Sequence, residues 1–219
     1  FPALRAEFDA LVARLGAGPV EVSLANPRTT LPLRESMTRA RFLSTVHSVL
    51  YSPLDSRRLP YMIHSAHQGR WEPFVARRNA SGDFATDGPI SMVLHMAVVC
   101  AEDYPRLTPQ MAAEDASASL LAVGTVKRME GMCKAANVPP VPLRAPSRID
   151  APVLMLSGAL DPVTPPRRAE AAGKHMARAQ HVVVTHAGHG ISQLGCGPRL
   201  LRTFLDNPAQ KLDAKCLAE

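Results

Sequence analysis

Between Ile149 and Ile191 the chain carries a pattern that few architectures can hold. Two short apolar runs, Val153–Leu156 and Val182–Val184, have the length and β-branched content of buried parallel strands. Pro165 and Pro166 lie between them, at a position where a helix tolerates a missing N–H. The helix they open is expected to run through Arg167 to about Ala177. The unit therefore reads strand, loop, helix, strand, loop. Parallel strands need such a crossover, and ligand chemistry gathers at their carboxyl ends.

Asp161 falls at the first strand end, just past Ser157-Gly158, and His189 at the second, between Gly188 and Gly190. A carboxylate there can hold an imidazole in one tautomer and stabilise its charged form. The imidazole can then take a proton from a nucleophile. Taken singly, Asp161 reads as a turn cap before Pro162 and His189 as a loop histidine. As a pair in this unit they read as catalytic.

The wording around the pair resembles a known family. Leu156-Ser-Gly-Ala-Leu-Asp-Pro-Val-Thr-Pro165 followed by His186-Ala-Gly-His-Gly190 is similar to the C-terminal part of an α/β-hydrolase. The branch it resembles includes secreted tripeptidyl aminopeptidases and proline-iminopeptidase-like enzymes. Cys196-Gly-Pro-Arg-Leu-Leu-Arg-Thr-Phe-Leu205 and Leu212-Asp-Ala-Lys-Cys216 resemble the tail of that branch, and Cys100-Ala-Glu-Asp-Tyr-Pro105 a motif of its cap. In that family the triad runs Ser, Asp, His, and Asp161 and His189 match its last two members.

The first member has no match. No Gly-x-Ser-x-Gly occurs in the sequence, and no Gly-rich oxyanion segment. Ser157 lies in the strand that delivers Asp161, and Ser192 is too near His189 to be the elbow serine. The chain also begins at Phe1 rather than at a methionine. The expectation is the C-terminal portion of a longer hydrolase, whose nucleophile half is a partner absent here and without which this chain is inactive. The resemblance implies a helical cap with flanking helices over residues 1–146 and the end of the catalytic domain over 147–219. The expected fold class is thus α/β, helix-dominated: a partial α/β-hydrolase ending strand–helix–strand–helix.

The resemblance also favours a disulfide between Cys196 and Cys216, tying the last segment to the loop after His189. Four cysteines in all, with no Cys-x-x-Cys, suit an oxidising compartment better than a metal site. Secreted or periplasmic location is expected, against the alternative of four buried thiols in a cytosolic protein. Neither metal nor organic cofactor is implied.

Substrate choice points to Glu102 and Asp103. An exopeptidase acting on peptide N-termini must hold an α-ammonium, and a carboxylate in a partly dry pocket does so by a charge-assisted hydrogen bond. The resemblance places both residues near the cap–core cleft; capping a helix end or pairing with Arg106 is the other reading. An esterase would use the same triad. Outside catalysis, a sheet edge left uncovered could pair with another chain or with a second copy, making this a binding fragment.

The net charge of +6 comes from arginines scattered along the chain without interleaved aromatics. That is a solvated surface, not a nucleic-acid interface. No apolar run approaches the ~18 residues of a membrane span.

Upstream, Leu4, Phe8, Leu11, Val12 and Leu15 make one helical stripe ending at Gly16. Pro19–Leu24 reads as a short extended piece and Ala25–Leu33 as a loop. Helices are expected over Met37–Tyr51, from about Arg57 to Gly69, and over Trp71–Arg78. Asn79–Pro89 reads as a mobile loop; its Asn79-Ala-Ser81 sequon is common by chance and carries no weight. Ile90–Ala101 reads as a buried helix. Pro109–Ala136 reads as one or two helices interrupted near Gly124. Pro139–Pro146, with four prolines, has linker composition.

Overall fold

The apolar stripe near the N-terminus does form a helix, α1 (Leu4–Ala17), with Leu11 and Leu15 buried. This comes from a computed structural model that describes residues 1–26, 29–80 and 91–217. The chain divides into two compact units. Phe1–Thr45 with Pro60–Arg144 forms one, and Val46–Leu59 with Ala145–Glu219 the other.

In the first unit, β1 (Val20–Ala25) pairs antiparallel with β2 (Pro32–Met37), in register from Val20 opposite Met37 to Ala25 opposite Pro32. The second strand corrects the sequence reading, which had a loop up to Leu33 and a helix from Met37. Met37 is fully buried as the inward residue of that strand. The helix α2 (Arg39–Tyr51) starts only after Thr38, whose hydroxyl accepts the Arg41 N–H at 3.2 Å. Its Phe42 packs against Phe74, ring centroids 4.9 Å apart, and meets Trp71 edge-on at 6.3 Å. Burial of each such ring contributes roughly 1.5–3 kcal/mol.

After α2, within the stretch that belongs to the second unit, comes a short helix that the sequence reading lacks, α3 (Pro53–Ser56), capped by the Ser52 hydroxyl. Then follow α4 (Leu59–His67) and α5 (Glu72–Ala80). Asn79 and Ala80 close α5, and the rest of the loop expected over Asn79–Pro89, Ser81 included, lies outside the described residues.

The helix expected over Ile90–Ala101 forms as α6 (Met92–Val98), continued by a π-helical turn over Val99–Asp103. Its expected burial is corrected: Val93 is 83% exposed and Leu94 65%. The buried residues are Cys100 and Ala101, because the segment is anchored at one end by the Cys100–Cys133 disulfide. The alanine-rich stretch gives α7 (Pro109–Ala118), capped by Thr108, and α8 (Ala122–Ala136). The break lies at Ser119–Leu121, and Gly124 sits inside α8 rather than at the interruption. Asn137 ends that helix in the left-handed region, φ +48°.

In the second unit, β3 (Ile149–Gly158) and β4 (Met176–Val184) pair in parallel across α9 (Pro166–Gly173), and α10 (Gly197–Asp206) follows. The helix α9 stops before the expected Ala177, because Met176 and Ala177 already belong to β4. Leu156 is opposite Val182 and Gly158 opposite Val184. A ladder irregularity falls between Ile149 and Pro152, where proline has no N–H to give. Val184, Ala187 and Ile191 form the buried cluster of this end, with Leu156, Val182, Leu194 and Leu217 packed on it. The tail is held by the Cys196–Cys216 disulfide and by Gln180. The Gln180 amide donates to Gln210 O at 2.8 Å and accepts from Leu212 N at 2.9 Å. The whole is a helix-dominated α/β chain with a parallel strand pair in its C-terminal part. Among the described residues no helix is long and apolar enough to cross a membrane.

Candidate active site

The loops after β3 and β4 are joined by their backbones. Ala159 N–H donates to Val184 O at 2.9 Å, and Leu160 N–H to Ala187 O at 3.0 Å. This approach requires a residue without a side chain at the end of β3. A Cβ on Gly158 would sit 2.3 Å from Ala187 O and closer still to Gly188 O. Gly188 is pressed in turn on its other side. A Cβ there would lie 2.8 Å from Leu50 O, at the end of α2. Strand ends, helix end and two glycines thus fix where the next two loop residues with chemistry can stand.

Those residues are Asp161 and His189. The Asp161 side chain is 5% exposed and its carboxylate accepts four hydrogen bonds. Oδ1 accepts the backbone N–H groups of Val163 at 2.8 Å and Thr164 at 2.9 Å. Oδ2 accepts from the Thr164 hydroxyl at 2.8 Å and from His189 Nδ1 at 2.9 Å. Burial pushes this carboxyl up. The N–H groups of Thr164 and Val163, the His189 ring and the Thr164 hydroxyl together outweigh that and bring it down to about 2. The carboxylate is therefore ionised at any ordinary pH. His189 is 41% exposed in its side chain, so one end of the ring is held while the rest is reachable.

Two more residues belong to this arrangement that the sequence reading does not include. Thr164 Oγ1 lies 3.2 Å from His189 Nδ1 as well as against Asp161. An Asp commonly closes a turn by bonding the backbone two residues on, which is a local signal for the Asp161 turn but not for the Thr164 hydroxyl. Tyr51, the last residue of α2, sets its ring edge-on to His189 at 5.6 Å. Its phenol is pushed up by burial and then by the Asp161 charge. No local pattern announces Tyr51, which reaches the site from the far end of the sequence.

Residues 118–216 match the family model for TAP-like proteins. Over that segment the chain is similar to the C-terminal part of a TAP-like α/β-hydrolase. The TAP-like segment contains β3, α9, β4 and α10, and with them Asp161, Thr164 and His189. A hydrolase of α/β type is the activity class of that family. No curated protein matches the chain, and no solved structure does.

Other sequence candidates fall elsewhere. Ser157 is buried in β3, its hydroxyl 2.9 Å from His181 Nε2. Glu102 and Asp103 lie in the first compact unit, on the π-helical turn after α6, while Asp161 and His189 lie in the second. Both acidic side chains are exposed, and among the described residues neither makes a hydrogen bond or ion pair, with Arg106 or with any other group. Cys196 and Cys216 are bridged, as are Cys100 and Cys133. Two disulfides are compatible with an extracellular or periplasmic protein. Among the described residues no three His, Cys, Asp or Glu side chains are grouped to hold a metal ion.

Proposed function

We propose that this chain supplies the Asp and His of a serine hydrolase that removes residues from peptide N-termini. The single observation that carries the reading is the 2.9 Å bond between His189 Nδ1 and a buried, ionised Asp161. Held at Nδ1, the ring offers Nε2 as a base. It would take the proton of an attacking serine, then return it to the leaving amine, and water would release the acyl group. Asp161 stays charged throughout and stabilises the imidazolium.

The serine comes from sequence outside these residues. No Gly-x-Ser-x-Gly is present, and Ser157 already bonds His181 within a buried strand. Residues 1–146 supply the helical cap and its flanking helices, of which Val46–Leu59 belongs to the compact unit of the C-terminal part, and 147–219 the end of the catalytic domain. Glu102 and Asp103, without partners among the described residues, are the carboxylates that would take a substrate α-ammonium, by a charge-assisted hydrogen bond once the substrate covers them. The enzyme works outside the cytosol, where its disulfides persist.

The native protein decides the matter. Its intact mass and a fluorophosphonate label are the measurements. A longer parent labelled on an elbow serine, with labelling lost in His189→Ala, is the expected result. A label on any serine within these 219 residues overturns the assignment of the nucleophile. Cleavage of esters with no cleavage of peptides would replace the exopeptidase by an esterase.

A further inference from the structure

We propose that Thr164 is a positioning residue that keeps the proton of neutral His189 on Nδ1 and so leaves Nε2 free to act as base. This rests on the proposed catalytic role of His189, but the proton placement follows from the local geometry alone. Three polar atoms meet at one point: Asp161 Oδ2, Thr164 Oγ1 and His189 Nδ1. The separations are 2.8 Å from Oδ2 to Oγ1, 2.9 Å from Oδ2 to Nδ1 and 3.2 Å from Oγ1 to Nδ1.

The donors and acceptors can be counted. An ionised carboxylate only accepts, so both of its neighbours must donate to it. Thr164 has one hydroxyl hydrogen, and its donation to Oδ2 leaves the Oγ1 lone pairs to face Nδ1. A ring with bare Nδ1 would then confront two acceptor oxygens with no hydrogen between, and a hydroxyl turned to serve Nδ1 would instead leave Oδ2 facing two acceptors. A ring protonated at Nδ1 satisfies both, its N–H directed to Oδ2 with Oγ1 as a longer second acceptor. The hydroxyl therefore acts twice. It orients Oδ2, and it makes the wrong tautomer unfavourable on its own account.

The backbone makes the hydroxyl's place a built one. Thr164 N–H and Val163 N–H both hold Oδ1, so the carboxylate cannot rotate away without losing them. Pro162 and Pro165 flank the turn and fix its φ angles. Thr164→Val would keep the shape and β-branching while losing the hydroxyl. Thr164→Ser would keep the hydroxyl.

The test is read on the full chain without turnover. Long-range proton–nitrogen spectra of ¹⁵N-histidine-labelled protein report which ring nitrogen carries hydrogen, and His189→Ala assigns the signal. Wild type should hold the neutral ring with hydrogen on Nδ1. In Thr164→Val the share with hydrogen on Nε2 should rise roughly tenfold, the scale of one hydrogen bond, and Thr164→Ser should restore the wild-type pattern. A valine variant with wild-type tautomer overturns the proposal, as does a serine variant that behaves like the valine one. Should the Thr164→Val chain fail to fold, Thr164→Ala removes the same hydroxyl and is read in the same way. A wild-type ring protonated mainly at Nε2 refutes the proton placement outright. The catalytic reading fails by a different measurement: a complete enzyme with no hydrolase activity refutes that reading while the tautomer result stands.

Discussion

Gly158 and Gly188 touch so closely that a Cβ on the first would lie 2.1 Å from the carbonyl oxygen of the second. No real Cβ sits that near a backbone oxygen, so Gly158→Ala must push the loop before His189 away from the loop before Asp161. The hydrogen bonds Ala159 N–H to Val184 O and Leu160 N–H to Ala187 O would stretch with it. We expect a loss of about 2–3 kcal/mol, in the range of overpacked cores, with weakening of the Asp161–His189 bond. Urea unfolding and the His189 ring resonances measure the two effects. A variant as stable as wild type, with unchanged ring signals, would mean that the contact is not tight in solution.

Acid should expose the carboxylate's contribution. The Asp161 carboxyl sits at about 2, below its ordinary 3.8. A depressed carboxyl contributes stability that is complete above the unfolded value and is lost as pH falls through the folded one. The window is therefore 3.8 down to about 2, and the amount is about 2 kcal/mol. Asp161→Asn lacks this component. The stability gap between wild type and variant should shrink steadily across that window. A gap that stays constant from neutral pH to pH about 2 would show that Asp161 is not specially held.

Why the pair was legible and its surroundings were not follows from distance along the chain. Asp161 and His189 are each read from a few neighbouring residues: a β-branched run, a glycine, a turn. Their meeting follows from the handed, local strand–helix–strand crossover. Thr164 was visible as a letter but not as a contact, because only coordinates show its hydroxyl meeting both partners. Tyr51 carries no local mark, and neither does the pairing of Val46–Leu59 with the C-terminal unit. Strand β2 was hidden because Arg34 and Glu35 mask a period-two pattern whose buried end is Met37. For α6 the composition specifies a helix but not its burial. A run such as Met92-Val-Leu reports hydrophobicity, not whether anything covers it.

The second disulfide should matter most for the tail. Cys196 and Cys216 close a loop with a sequence separation of 20, which in the chain-entropy treatment contributes ~3 kcal/mol. Replacing both by serine should lower stability by about that much and free Leu217 from the cluster around Ile191. Denaturant unfolding and proteolysis of the tail measure it. A change well under ~1 kcal/mol would mean that Gln180 alone holds the tail. Two free thiols in protein from its native compartment would remove the case for secretion.

In the complete enzyme, Asp161→Asn should leave substrate binding nearly intact and reduce turnover by on the order of 10⁴, the scale seen when a triad aspartate of a serine protease is changed to asparagine. His189→Ala should be comparably damaging, and the double variant little worse than the worse single one, because the two act as a unit. Losses that multiply would separate their tasks. Glu102→Gln should instead weaken peptides with a free N-terminus and spare simple esters. Equal losses on both would assign Glu102 a structural role.

Tyr51 tests whether the end of α2 belongs to the site. Its ring meets His189 edge-on at 5.6 Å and its phenol is pushed up by burial and, secondarily, by the Asp161 charge. Two consequences are separable. Removing the charge with Asp161→Asn should bring the Tyr51 phenol down toward its ordinary value of 10.0. Carbon-13 labelled tyrosine spectra across the alkaline range read this directly, and a Tyr51 titration unmoved by the substitution would place the carboxylate too far away to act on it. Removing the ring with Tyr51→Ala should loosen His189 and lower kcat/KM of the complete enzyme by up to about tenfold, the worth of one aromatic pair. Tyr51→Phe keeps the ring and should keep most of the rate. If phenylalanine is as damaging as alanine, the hydroxyl rather than the packing is what His189 or its substrate uses.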